Sequence, residues 1–317
     1  MPKDRSMPNS VQRIINSLQV ETSLAGRFRS ASLSERMAAT YTPGVSITVL
    51  KKGMVDWSKG FGYKDLSTRE EVSPDTMFLA GSVSKPVFAL GVMKMVESGK
   101  VDLDQDVNKY LKRWKIPTNG VWQPKVTIRQ LLSHTAGLTV HGFPGYRRAV
   151  EIPSIVQILQ GVPPANTDPV TVNVLPGTMM RYSGGGTTVA QLAIEDIYNR
   201  PFARIMYEVL FAPLGLKMST YDQALSKGQK GQIAHGYPFY NREIEGGYHV
   251  YPEMAAAGLW TNGLDLAALL LELQKSLGGE RSFFPRRIVE LMLTPQKGAK
   301  NMGLGFFLDG SGSSSRF

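Results

Sequence analysis

Residues 44–58 are written as a β-hairpin, the long middle of the chain is patterned for helices, and a strand pattern returns only near residue 303. That order is the strongest constraint on the fold. It implies an α/β layer assembled from both ends of the chain, with a helical region inserted between them. In the hairpin, Gly44-Val45-Ser46-Ile47-Thr48-Val49-Leu50 reads as one strand, Lys51-Lys52-Gly53 as the turn, and Met54-Val55-Asp56-Trp57-Ser58 as the returning strand. Gly60 and Gly62 are expected to end that unit. Upstream, Val11, Ile14, Ile15 and Leu18 recur at helical spacing and predict an amphipathic helix over 11–20.

Further helices are expected from Ser82 to a stop at Ser98-Gly99, after an N-cap at Thr127, and over 187–198, 201–210 and 264–277. Pro86 is tolerated in the first of these because the opening turn has no intrahelical donor to lose. Between Gly142 and Arg181 the chain is rich in Pro, Gly, Asn and Thr, a composition of ordered loops that carry sites. Gly303-Leu304-Gly305-Phe306-Phe307-Leu308 reads as the start of a closing strand, and Gly310 to Ser315 is of low complexity.

Composition narrows the chemistry. The 317 residues include no cysteine, which excludes disulfides, thiolate metal sites, iron–sulfur clusters and a cysteine nucleophile. The four histidines, His134, His141, His235 and His249, show no helical metal-ligand spacing, so neither a metal nor an organic cofactor is expected. The formal charge of +10 is scattered, with no basic run longer than two residues, and reads as a solvated surface rather than a nucleic-acid face. The most apolar stretch, 264–273, is interrupted by Asp265 and Glu272 and is too short to span a bilayer. MPKDRSMPNS has no apolar core of a signal peptide, so a cytoplasmic location is expected, or a periplasmic or secreted one if a leader has been removed.

Hydrolytic chemistry must therefore run on hydroxyls, amines and carboxylates. The candidate is Ser82-Val83-Ser84-Lys85 at a helix start, where a spacing of three stacks the Ser82 hydroxyl and the Lys85 amine on one helical face. Serine needs an adjacent base, and lysine can serve once burial and the helix dipole favour its neutral form. The bland reading is an N-cap serine followed by a surface lysine. Against it, Phe78, Leu79 and Ala80 before the motif and Phe88, Ala89 and Leu90 after it are too apolar for an exposed helix start. Tyr182, in the loop 176–184, can relay a proton at a cleft mouth, or simply pack its ring.

Six ordered blocks carry a resemblance: Thr42 to Ile47; Phe78 to Pro86; Val126 to Leu138; Leu175-Pro176-Gly177 with Tyr182-Ser183; Pro213 to Leu216; and Ala257 to Thr261. Together they resemble the serine β-lactamase-like hydrolases, which include class C β-lactamases, penicillin-binding DD-peptidases and β-lactamase-like carboxylesterases. The resemblance implies an α/β (α+β) fold with an antiparallel sheet flanked by helices. Its expected division is an α/β region over 1–105 and 290–317, a mainly helical region over 106–289, and an active site between them. It also implies an acyl-enzyme mechanism. Ser82 attacks a carbonyl, its own backbone N–H forms part of the oxyanion hole, Lys85 and Tyr182 move protons, and water releases the acyl group. Which of Lys85 and Tyr182 is the base stays open.

Two departures follow. Lactam-hydrolysing relatives usually carry Asn two residues after the tyrosine. Here that position is Gly184, which favours small or medium carboxylic esters as substrates over β-lactams or D-Ala-D-Ala peptides. The family's third motif, a Lys/His-x-Gly run on a closing strand that supplies another oxyanion donor, is not found by Phe317, and Lys227-Gly228-Gln229-Lys230 falls in the helical region. The expectation is a C-terminally truncated chain, weakly active or non-catalytic, with a sheet edge left open; one lost oxyanion donor costs roughly 10²–10³ in turnover. His134 is expected to be structural. His141, Phe143, Tyr146 and Gly184 are pocket candidates, and Trp260 is a cleft-wall or core candidate. Oligomeric state is not legible.

Overall fold

The computed structural model describes residues 9–21, 28–238 and 242–309. The tail from Gly310 lies outside the described residues. The chain starts with α1 (Asn9–Ile15), then β1 (Leu18–Glu21) paired antiparallel with β2 (Phe28–Ala31), and α2 (Leu33–Ala39). The helix expected over 11–20 therefore starts earlier, spans seven residues and ends at Ile15. Seven residues make a marginal helix, and from Leu18 the chain instead bonds in register with β2, Leu18 opposite Ala31. A capping box between Ser32 and Glu35 starts α2.

β3 (Gly44–Lys51) and β4 (Met54–Asp65) form the hairpin, in register from Gly44 opposite Gly62 to Lys51 opposite Met54. β4 does not end at its glycines. A side chain at Gly60 would sit 2.0 Å from the Val72 carbonyl oxygen, and one at Gly62 would sit 2.1 Å from that of Pro43. These glycines let two other backbone segments cross the strand, and pairing continues into β5 (Glu70–Glu71). The sheet order is β3-β4-β5, with β3 at an edge among the described residues. Val11, Ile15 and Leu33 pack with Ile47, Trp57 and Phe61 on one face of this sheet.

After β6 (Phe78–Leu79) the chain enters α3 (Ser84–Glu97), closed by Ser98 and by Gly99 at φ +74°. α4 (Ile128–Leu132) and α5 (Ile155–Gln160) begin with capping boxes from Thr127 and Ser154. α6 (Gly184–Tyr198), α7 (Phe202–Met206), a π-turn over Tyr207–Phe211 and the short α8 (Ala212–Leu214) follow. Then come α9 (Lys227–Lys230), α10 (Met254–Ala257), β7 (Trp260–Thr261) paired with β6, α11 (Gly263–Leu277) and α12 (Arg286–Met292). α11 reaches the hairpin at Gly263, where a Cβ would lie 2.4 Å from Thr48 Oγ1.

The main core joins α3, α4, α6, α7, α11 and α12, from Val87 to Leu304. Within it Phe88, Phe202, Tyr221 and Phe211 stack edge and face at 4.9–5.7 Å between ring centres. Burying a side chain of this size stabilises by roughly 1.5–3 kcal/mol. The strand expected over 303–308 is not formed: a single bridge joins Met302 to Phe307 around Gly305 at φ +88°. Gly305 N–H donates to the Leu132 carbonyl, and a Cβ at Gly305 would lie 2.4 Å from that of Ala89. Those contacts make the segment a tight turn seated on the helices. No described helix is long and apolar enough to cross a membrane.

Candidate active site

Ser82 stands in a 3₁₀ turn, Gly81–Val83, that leads into α3. The turn begins with Gly81 at φ +52° and is held by Ser84, which reaches in two directions. Ser84 Oγ donates to the Gly81 carbonyl at 2.5 Å and accepts from Leu259 N–H at 2.9 Å, while the Tyr221 hydroxyl donates to the Ser84 carbonyl at 2.6 Å. Ser82 itself is exposed, as an attacking hydroxyl must be. It lies in the first helical turn, where backbone N–H groups have no intrahelical acceptor and can face an oxyanion.

One turn on, the Lys85 side chain is buried, with Nζ 3.1 Å from Ser82 Oγ and 2.7 Å from the Ala256 carbonyl oxygen of α10. Its nitrogen also faces the Tyr182 ring at 4.9 Å from the centroid. Burial pushes the ammonium down from 10.5 to about 8, because water no longer solvates the charge. The stacking expected from the three-residue spacing is thus present, and the lysine is not a surface residue.

Tyr182 is half-buried and gripped on several sides. Its ring centre is 4.4 Å from that of His134, 4.9 Å from His141 and 6.3 Å from Phe307, the last nearly parallel at 13°. The flanking backbone is pinned: Arg181 N–H donates to the His134 carbonyl at 2.7 Å, and Ser183 N–H donates to His134 Nδ1 at 3.2 Å. His134 is therefore a backbone-bonding residue, as its sequence setting suggested, with its proton left on Nε2. Burial and the Lys85 charge hold it down at about 3, so it stays neutral at working pH.

The pocket candidates separate into two groups. His141 is exposed beside Tyr182, and Phe143 is half-buried against Gly184, where a Cβ would lie 3.1 Å from both Phe143 Cε2 and the His141 carbonyl oxygen. Gly184 and Gly185 donate to the carbonyls of His141 and Val140, each at 3.0 Å, so loop 139–143 sits directly on the start of α6. α6 begins at Gly184 rather than Thr187 for the same reason: the Ser183 hydroxyl caps Gly186 at 2.8 Å, and only glycines admit the loop so closely. Tyr146 is a correction, and Trp260 takes the second of its two expected places, the core. Tyr146 is 3% exposed, its hydroxyl accepting from Asn166 N–H, and Trp260 is 1% exposed in a core with Met77, Leu225, Ile233 and Tyr248. Neither has an open face for a substrate.

The structure also supplies groups that sequence reasoning missed. The Ala256 carbonyl, the Ser84 hydroxyl and the 52%-exposed Phe307 ring all bear on the candidate triad. Behind the 142–146 loop, Glu253 is 0% exposed with neither carboxylate oxygen hydrogen-bonded, and burial pushes it up to about 7. An alternating apolar block such as residues 303–308 carries no signal that one ring stacks on a tyrosine, and backbone acceptors carry no residue signature at all.

Among known proteins, the family profile described as Beta-lactamase matches residues 30–316. The curated relative "Protein flp" of Staphylococcus aureus (strain N315) is 26% identical over 204 residues, which cover 62% of this chain and only 38% of that protein. The chain superposes on the octameric penicillin-binding protein homologue from Pyrococcus abyssi with a TM-score of 0.69 at 24% identity, covering 87% of this chain and 63% of that one. It superposes on EstCE1, described as a hydrolase with promiscuous acyltransferase activity, with a TM-score of 0.67 at 21% identity, covering 87% and 81%.

Proposed function

The chain belongs to the β-lactamase family, and from that premise we propose that it is a serine hydrolase cleaving small or medium carboxylic esters through an acyl-enzyme on Ser82. The observation that carries the reading is the exposed Ser82 hydroxyl 3.1 Å from a buried amine whose acidity has moved to about 8. A neutral Lys85 accepts the Ser82 proton as oxygen attacks the ester carbonyl. The tetrahedral oxyanion is met by the Ser82 N–H. The proton then passes, through Lys85 or Tyr182, to the departing alkoxide, leaving an ester on Ser82. Water attacks that ester in the second half, giving up a proton to the same base, which returns it to Ser82 Oγ as the acyl–Oγ bond breaks and the acid leaves. Proton transfer of this kind is worth roughly 10²–10⁴-fold.

The preference for esters rests on Gly184, which offers no side-chain amide to an amide-bearing substrate and leaves Phe143 against the backbone. Similarity in fold to EstCE1, a hydrolase by its description, supports the hydrolase reading, while the choice of esters rests on Gly184 alone. The test is intact-mass measurement after a fluorophosphonate probe, with p-nitrophenyl butyrate and nitrocefin assayed side by side. One adduct on wild type, none on Ser82→Ala, and turnover of the butyrate ester are expected. Turnover of nitrocefin alone would transfer the reading to a β-lactamase or carboxypeptidase, and no adduct on the folded protein would leave a non-catalytic binding member.

A further inference from the structure

We propose that Asp65, His235 and Glu243 form a zinc-type divalent cation site that ties the end of the hairpin to His235 and Glu243. One donor atom from each residue lies within 4.8 Å of the others, Asp65 coming from the end of β4 and the other two from a distant part of the chain. Asp65 closes β4 and is held rigidly: its Oδ1 accepts from Ser67 N–H and Ser67 Oγ, both at 2.7 Å. That fixes Oδ2 toward His235 Nδ1, 3.8 Å away. His235 is anchored by its own N–H, which donates to the Lys64 carbonyl at 2.8 Å, so the imidazole is carried alongside the strand.

The ring orientation supports coordination. The Nε2 side of His235 lies over Gly247, where a Cβ would come within 3.2 Å of the ring. Nδ1 therefore faces the carboxylates. It is sealed from water and makes no aligned hydrogen bond, although Glu243 Oε1 is only 2.6 Å away. A well-formed imidazole–carboxylate pair would place the N–H on that line. Lys64, the residue before Asp65, is engaged elsewhere: it pairs with Glu70 at 2.9 Å and with the Gly231 carbonyl.

An imidazole with two carboxylates suits zinc or a neighbouring transition metal, whereas calcium and magnesium favour all-oxygen shells. Bonds of about 2.0–2.2 Å in a tetrahedral shell separate donors by roughly 3.3 Å. Asp65 and His235 would close by about half an ångström from 3.8 Å, and Glu243, which is exposed and free to swing, would open from 2.6 Å by a similar amount. Three protein ligands leave one position for water.

The test uses metal-stripped full chain with zinc chloride, then desalting and elemental analysis, with calcium chloride in parallel and cobalt(II) absorption as the geometric readout. One retained equivalent of zinc, intense visible cobalt bands, a rise in Tm with zinc and none with calcium are expected. His235→Ala should lose the metal, and the exposed Glu243→Gln, which leaves the fold intact, should weaken binding at least tenfold. No retained zinc in wild type, or zinc retention in both Glu243→Gln and His235→Ala equal to that of wild type, would reduce the cluster to an ion pair and overturn the proposal.

Discussion

Replacing Lys85 with arginine separates the two things a cation beside Ser82 can do: attract negative charge, or take a proton. Burial moves Lys85 from 10.5 to about 8, a change of roughly 3 kcal/mol in the balance between its charged and neutral forms. At pH 7 about one lysine in ten is then neutral, against about three in ten thousand without burial, so the fold raises the population of the base roughly 300-fold. Arginine keeps its charge at every working pH. If Lys85 takes the Ser82 proton, wild-type kcat/KM for p-nitrophenyl butyrate climbs with pH and levels above about 8. Lys85→Arg should lie roughly 10²–10⁴ lower and show no such climb. Stability carries an independent sign. The unfolded chain holds this proton up to 10.5 and the folded chain only to about 8, so unfolding free energy rises with pH across that window, and Lys85→Met should flatten the rise. A rising limb that survives in Lys85→Arg would refute the assignment of Lys85 as the base and point to Tyr182.

Two further outcomes follow from groups around the site. Glu253 is raised from 4.5 to about 7 by burial, so the unfolded chain gives up its proton first and wild-type stability falls as pH climbs between those values. Glu253→Gln should match wild type near pH 4 and exceed it near pH 8 by a few kcal/mol, on the order of 2–3, in urea unfolding; equal curves at pH 8 would show that the carboxylate is solvated after all. Gly184→Asn would put a Cβ 3.1 Å from Phe143 and the His141 carbonyl. Loop 139–143 must then give way, ester KM should rise several-fold, and stability should stay within about 1 kcal/mol because a helix start gains from losing glycine; an unaltered KM would remove Phe143 and His141 from the pocket.

The hairpin, the Thr127 cap and the Ser82–Lys85 helix were legible because each depends on neighbours in sequence: alternation, a hydroxyl before an apolar period, a spacing of three. What was not legible depends on distant segments. Gly60 and Gly62 look like strand ends until Val72 and Pro43 are seen crossing over them. The 303–308 pattern looks like a strand until Gly305 is seen seated on Leu132 and Ala89. Within the site, the Ser82–Lys85 pair could be read directly, but the Ala256 carbonyl that shares Lys85 could not. Tyr146 was misplaced because large aromatic side chains suit a cleft wall and a core equally well, the same ambiguity that left Trp260 open between the two. Asp65, His235 and Glu243 escape any spacing argument, since Asp65 comes from a distant part of the chain.

The staple of Ser84 to Leu259 and of Lys85 to Ala256 joins residues separated by 175 and 171 positions. It follows that the site is a late product of folding. During synthesis the Ser82 turn emerges long before the segment that closes it, and until residues 256–261 dock, Lys85 stays hydrated and protonated. Loop closure over so long a span is slow relative to local helix formation. In a growing chain, therefore, the pairing of Ser82 with a buried Lys85 is completed only once residues 256–261 have docked against α3.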